Sequence, residues 1–338
     1  MLRTMLSCLA ATLLATGAWA QGSGSPTLDA VRARGVLSCG VSGTNPGFAF
    51  ADSRGEIQGS EAEFCRAVAA AALGDARKVR FVTLTSTNRF TALQSGEIDL
   101  LVRTATWSLG REASLGLLFA GITFYDGTAF MVHSASGIRS ARELDGATIC
   151  ILPGTTTELA VTDYFRRTNM RFTPVLIDNV SELRAVFRNG RCDSYSTDAS
   201  ALASFRFGEG QAAETYTLLP EIISKEPLGP LVRKGDDKWF DIVRWTHFAM
   251  LAAEELELTR ANVEASLSSP NPDIRRLLGV DGDLGRSMGL DNRWAFQVIR
   301  QVGSYAEVWD RAIAPLGVPR GHNRLWTQGG LQYAPPVR

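Results

Sequence analysis

Residues 90–106 read F-T-A-L-Q-S-G-E-I-D-L-L-V-R-T-A-T, and residues 183–198 read L-R-A-V-F-R-N-G-R-C-D-S-Y-S-T-D. Both stretches follow one plan. Each has a helical pattern halted by a glycine, Gly96 or Gly190, with an aspartate three positions later, Asp99 or Asp193. Each then runs through a strand to a polar residue five positions beyond that aspartate, Thr104 or Asp198. Two such units, widely spaced in the chain, predict two related lobes. In open α/β sheets, ligands sit beyond the C-terminal ends of the strands. That rule puts Thr104 and Thr106 at the edge of one lobe and Asp198 at the edge of the other.

Outward from these units the chain alternates strands and helices. Residues 36–41 and 79–84 have strand character, and 98–102 read as a buried strand. Residues 61–73 are Ala-rich and amphipathic, a helix closed by Gly74, and 88–94 read as a helix stopped at Gly96. This β-α-β-α-β order favours a parallel sheet with helices on its faces. Residues 124–132 and 220–232 are the candidate crossings between lobes, the second restrained by Pro220, Pro227, Gly229 and Pro230. A helix-rich segment, 239–258, follows, then helical patches at 294–302 and 305–313 and an irregular Gly/Pro-rich stretch, 317–338.

The 338 residues carry 35 basic and 35 acidic side chains. That balance argues against nucleic acid, which wants a basic face, and against a polybasic membrane contact. The length suggests two compact domains. Residues 1–20 read as a signal peptide: Arg3, an apolar run over 5–16, and Ala18-Trp19-Ala20 as the cleavage site. The run is too short for a bilayer span of ~20 apolar residues, and Cys8 lies too early to be a lipid anchor. The expected mature chain is exported, soluble and begins near Gln21. It keeps Cys39, Cys65, Cys150 and Cys192, an even set that suggests disulfides in an oxidising compartment. Free thiols are the alternative. These cysteines fit no zinc spacing, and His133, His247 and His322 are scattered. No metal and no cofactor are expected.

The segment T-A-T-W-S-L-G-R-E, from Thr104, resembles the signature of the polar amino-acid-binding proteins of ABC importers, solute-binding protein family 3. Thr104, Thr106 and Arg111 match its positions. L-P-G-T-T-T-E, from Leu152, resembles the family's second-lobe G-T-T loop, and R-C-D-S-Y-S-T-D, ending at Asp198, its ammonium-binding segment. The tail N-R-L-W-T-Q-G-G-L-Q-Y-A-P-P-V-R is similar to the larger, general L-amino-acid-binding group. The likeness spans the mature chain. It implies a periplasmic solute-binding component, an expected monomer, that captures free L-amino acids for an inner-membrane permease.

The chemistry of a zwitterion fits these residues. A planar guanidinium pairs a carboxylate through two parallel hydrogen bonds, which suits Arg111. Thr104 and Thr106 can add a backbone N–H and a hydroxyl. Thr155 and Thr156 sit where a helix begins, so free N–H groups and the helix dipole favour an anion. Asp198 suits the ammonium. Each residue also has a plainer reading. Arg111 in a loop can be solvated, Asp198 can be a helix N-cap, and Thr155 with Glu158 can form a capping box. The functional reading rests on the three sites together.

Side-chain recognition departs from the narrower binders, which often have an aromatic ring where this chain has Ser86. That substitution leaves volume, so broad specificity is expected. The loop from Ser42 to Phe48 forms another wall, with Asn45 a candidate contact. Arg89 either reaches an acidic ligand side chain or is solvated on its helix. The expected fold is a bilobal α/β clamp, periplasmic-binding-protein-like, with two mixed-sheet lobes joined by a two-strand hinge. Its divisions are the signal peptide 1–20, lobe one 21–127, lobe two 128–232, and 233–338 as the return to lobe one plus a C-terminal extension. Within-lobe disulfides Cys39–Cys65 and Cys150–Cys192 are expected, because a cross-lobe bridge would restrain the hinge. Two other functions share this fold: a dehydratase-type enzyme on an amino-acid-like substrate, and a ligand-sensing domain.

Overall fold

The structure is a computed structural model that describes residues 23–338; the signal-peptide reading of 1–20 lies outside them. The repeated sequence plan has a structural cause. Asp99 accepts a hydrogen bond from the Ser38 N–H at 2.8 Å, and Asp193 accepts one from the Thr148 N–H at 2.7 Å. Each aspartate thus satisfies the first backbone donors of the neighbouring parallel strand, which would otherwise face solvent at the sheet's rim.

Two five-stranded mixed sheets result. The first runs Val79–Thr83, Leu37–Val41, Leu100–Leu101, Leu231–Arg233, Leu117–Phe119. Its first three strands are parallel, and the last two join antiparallel. The second runs Thr173–Leu176, Thr148–Ile151, Ser194–Asp198, Thr128–His133, Tyr216–Leu218, again with three adjacent parallel strands followed by two antiparallel pairings. The 98–102 strand is shorter than the sequence suggests, with only Leu100–Leu101 in the ladder. Residues 124–132 do not form one crossing. The chain bends at Gly127, where a Cβ would lie 2.2 Å from Ile222, and Thr128–His133 already belongs to the second sheet.

The helix Ser60–Leu73 buries its alanines under the first sheet. Small side chains let the helices Asp237–Glu255 and Trp294–Gln301 approach closely, so the chain that returns from the second lobe completes the first lobe's core. Disulfide Cys39–Cys65 ties this helix to the strand Leu37–Val41, and Cys150–Cys192 is a bridge within the other lobe. Cys192 lies in the bend before its strand rather than on it.

Two antiparallel strands cross between the sheets: Phe124–Asp126 and Glu226–Leu228, with Asp126 opposite Glu226. The C-terminal residues lie along the first of them. Asn323 accepts from the Tyr125 N–H at 2.7 Å and donates to the Tyr125 carbonyl at 3.1 Å, as a neighbouring strand would. Gln332 donates to the Ile122 carbonyl and the Tyr305 hydroxyl to that of Thr123.

Candidate functional site

The sheets' C-terminal edges face each other across a polar cleft, with a cavity of about 40 Å³ between them. Asn45, Ser86, Thr104, Thr106, Thr155, Thr156 and Asp198, named from sequence, all line it. Arg111 does not. It sits on the short helix Leu109–Ser114, donates Nη1 to the Thr106 carbonyl at 2.8 Å and lies 5.1 Å from the Phe90 ring centroid. Burial lowers its pKa, and the nearby Glu226 and Asp198 work against that shift.

On the second lobe, Thr155 caps the helix Thr156–Arg167 by accepting from the Glu158 N–H, and donates to the Leu152 carbonyl. Glu158 reaches back to the Gly154 N–H instead of that of Thr155, so the capping box is shifted by one residue. The Thr156 and Thr157 N–H groups have no protein acceptor among the described residues. Asp198 stands at the N-cap position of Ala199–Gly208 without capping it. Its carboxylate receives no hydrogen bond from the described residues although only 7% of the residue is exposed. Burial, then Asp126 and Glu226, hold its pKa well above the usual carboxylate range.

The donors expected from Thr104 and Thr106 are already engaged. The Thr104 N–H goes to Glu61, and Thr104 adopts φ +34°, a rare conformation for a β-branched residue. Such backbone persists where its surroundings hold it. The Thr106 and Thr156 hydroxyls both donate to one oxygen of Glu226, which thereby joins the two sides of the cleft. The other Glu226 oxygen accepts from Thr128 and Ser224. Burial raises Glu61 to about 7 and Asp126 to about 6.

Sequence reasoning missed Glu61, Glu226, Asp126, Arg103 and Arg184. Arg184 donates to the Thr44 carbonyl and to Asn45 Oδ1, both at 2.9 Å, and Thr87 donates to Asp178 at 2.7 Å, so these residues also close the cleft. Asn45 is therefore held from the opposite side. Arg89 is not solvated; it is buried, with Arg103, beside Ser86. The Arg103 guanidinium reaches the Ser86 hydroxyl at 3.4 Å. A readable signal existed: Val180, Leu183, Arg184 and Phe187 share the buried face of Val180–Arg188 at helical spacing, as do Arg89, Ala92 and Leu93 on Arg89–Gln94. None of the three histidines lines the cavity. His247 is buried in the first lobe, which lowers its pKa to about 4.

Two lobes of repeated topology, joined by paired crossings and facing each other over a polar cleft, define the bilobal solute-binding class. Residues 37–261 match the family model described as bacterial extracellular solute-binding proteins, family 3, and the chain belongs to that family. It is 48% identical to the general L-amino acid-binding periplasmic protein AapJ of Rhizobium johnstonii, over 99% of both chains. It is 51% identical to the glutamate/glutamine/aspartate/asparagine-binding protein BztA of Rhodobacter capsulatus, covering 94% of this chain and 95% of that one. A periplasmic binding protein from Brucella ovis, solved with glutathione bound, is 49% identical and superposes with a TM-score of 0.90 over 92% of this chain and 99% of that one.

Proposed function

We propose that this protein captures free L-amino acids of broad range in the periplasm and presents them to the permease of an ABC importer, without chemical turnover. One observation carries the reading. A position for an anion, at the unpaired Thr156 and Thr157 N–H groups, shares a small cavity with a position for a cation, the unpaired carboxylate of Asp198. A free α-amino acid presents those two charges on adjacent groups. Arg111, outside the closed cavity and held at the Thr106 carbonyl, and Thr106, engaged with Glu226, complete the carboxylate position on the first lobe once the cleft opens and a ligand displaces those bonds, and Asn45, Ser86, Thr104 and Thr155 form the remaining walls. A cavity of about 40 Å³ holds only about three waters. Ligand entry therefore requires the lobes to part about the crossing strands at Phe124–Asp126 and Glu226–Leu228, which act as the hinge. Residues 1–20 serve as the export signal, 21–127 and 233–338 form lobe one with its extension, 128–232 form lobe two, and the protein works as a monomer.

The relatives that bind general or acidic and amide amino acids support this substrate class. Glutathione, held by the Brucella ovis relative, offers the same head group at its γ-glutamyl end, which makes γ-glutamyl peptides a second ligand class. Calorimetry over the common amino acids, their esters, their N-acetyl derivatives and glutathione tests the reading. Several free amino acids should bind, and blocking either end should abolish binding. Arg111→Ala and Asp198→Ala should each weaken it by ~2–5 kcal/mol. Wild-type affinity in both variants, or tolerance of a blocked carboxylate, would refute the site. Turnover of a bound amino acid, followed by NMR, would instead favour an enzyme.

A further inference from the structure

Glu226 opens the second crossing strand, and backbone pairing fixes its place. Leu228 pairs with Phe124 and, on its other side, with Thr106. The Trp107 N–H donates to the Pro227 carbonyl at 2.8 Å and the Gly229 N–H to the Ala105 carbonyl at 3.0 Å. The Glu226 side chain is thereby set between the two lobes, and the residue is only 2% exposed. A buried charge is normally met by an opposite one. Here every side-chain hydrogen bond to Glu226 among the described residues comes from a neutral hydroxyl. Oε2 accepts from Thr106 and Thr156, and Oε1 from Ser224 and from Thr128 at 3.3 Å.

Thr106 and Thr156 belong to opposite lobes, with their hydroxyl oxygens 3.1 Å apart. A threonine hydroxyl has a single proton to donate. Both protons go to one Glu226 oxygen, so no other carboxylate can take them while Glu226 stays. Thr156 also marks the anion position through its N–H, and Arg111 lies in the field of Glu226. A protein carboxylate therefore holds donors assigned above to the α-carboxylate of the ligand. We infer that Glu226 is a resident competitor for that position: it latches the lobes together before a ligand arrives, and the ligand displaces it from Thr106 and Thr156. This rests on the amino-acid reading above and deepens it. Oε1 keeps Ser224 and Thr128 as partners when Oε2 gives up its own. Because every free amino acid carries the same α-carboxylate, the latch lowers the affinity of all of them by one factor and does not choose among side chains.

Titration calorimetry and small-angle scattering on Glu226→Gln test the inference, since glutamine keeps the shape and removes the charge. Hydrogen bonds to an ionised acceptor are roughly twice as strong as those to a neutral one, so the amide holds the two threonines less firmly. Glutamate, glutamine and alanine should each bind about tenfold more tightly than to wild type, by a similar factor. The variant alone should scatter as a more open shape that contracts when an amino acid is added, whereas wild type should be closed already and change little. Unchanged affinity in Glu226→Gln would overturn the inference. A loss for every ligand would overturn it too, by making Glu226 a partner of the ammonium. Glu226→Asp is shorter, still charged and reaches less far towards the threonines. It should also bind more tightly, and it replaces the glutamine variant if that one does not fold. A wild type that contracts strongly on binding an amino acid would overturn the latch without any variant. A wild type that binds no free amino acid would fail the broader reading first, a result distinct from unimproved binding in Glu226→Gln.

Discussion

Replacing Asp198 by asparagine should move stability and binding in opposite directions. Its carboxylate is buried, receives no hydrogen bond among the described residues, and lies in the field of Asp126 and Glu226. Each like charge nearby, at an effective dielectric of ~20, costs a few kcal/mol before Arg89 and Arg111 offset part of it. Removing the charge should therefore stabilise the free protein by roughly 1–2 kcal/mol, a rise of ~2–6 °C in Tm. The sign depends on pH. A carboxyl whose folded pKa is raised favours the folded state while protonated, and that advantage is lost as pH rises through the folded pKa. The gain in Asp198→Asn should thus be largest near pH 8 and shrink towards pH 5. Binding should weaken by ~2–5 kcal/mol, because the ligand ammonium loses its counter-charge. Ligand uptake by the wild type should also release protons where Asp198 is partly protonated, since the ammonium favours the ionised form. Scanning calorimetry at the two pH values, and titration calorimetry in two buffers of different ionisation enthalpy, measure all three effects. An Asp198→Asn protein that melts lower than wild type and binds within threefold of it would refute the reasoning.

Three further outcomes follow from the cleft and the core. Arg184→Ala removes two hydrogen bonds that hold the cleft shut, so ligand affinity should drop by about tenfold to a hundredfold and small-angle scattering should report a more open average shape; unchanged affinity and shape would count against closure through this residue. Glu61, raised to about 7 by burial despite the Thr104 N–H, Arg103 and Arg89, gives stability that is present below its unfolded pKa and lost as pH rises through 7. Glu61→Gln should therefore melt higher than wild type at pH 8.5 and similarly at pH 5, and parallel pH profiles would be the contrary result. Replacing both Cys150 and Cys192 by serine opens a loop with a sequence separation of 42 residues, which should cost roughly 3–4 kcal/mol in denaturant unfolding, and a loss below about 1 kcal/mol would deny the bridge its stabilising role.

The repeated unit and its glycine stops were legible because each works over a few residues of chain, and the aspartates were legible by their fixed spacing from those glycines, although the strand ends they satisfy lie far away in sequence. Periodicity sets a helix, a glycine in the left-handed region ends it, and an aspartate satisfies the rim of the next strand. The cysteine pairs were legible for a related reason: each bridge joins elements that are neighbours within one lobe. The cleft-lining threonines and Asp198 could be named because they stand at strand ends or helix starts, positions that the order of elements already determines. The tertiary structure alone decided which partners those residues meet. Glu226 accepts a hydrogen bond from the Thr106 hydroxyl 120 residues away, and Arg184 reaches Asn45 across 139. Neither partner can be read from local pattern, because a hydrogen bond depends on positions within a few tenths of an ångström, and the crossings and the facing lobe set those positions. Burial beside the cleft also removes Arg89, a charge on a short helix, from water, and no local pattern gives that burial.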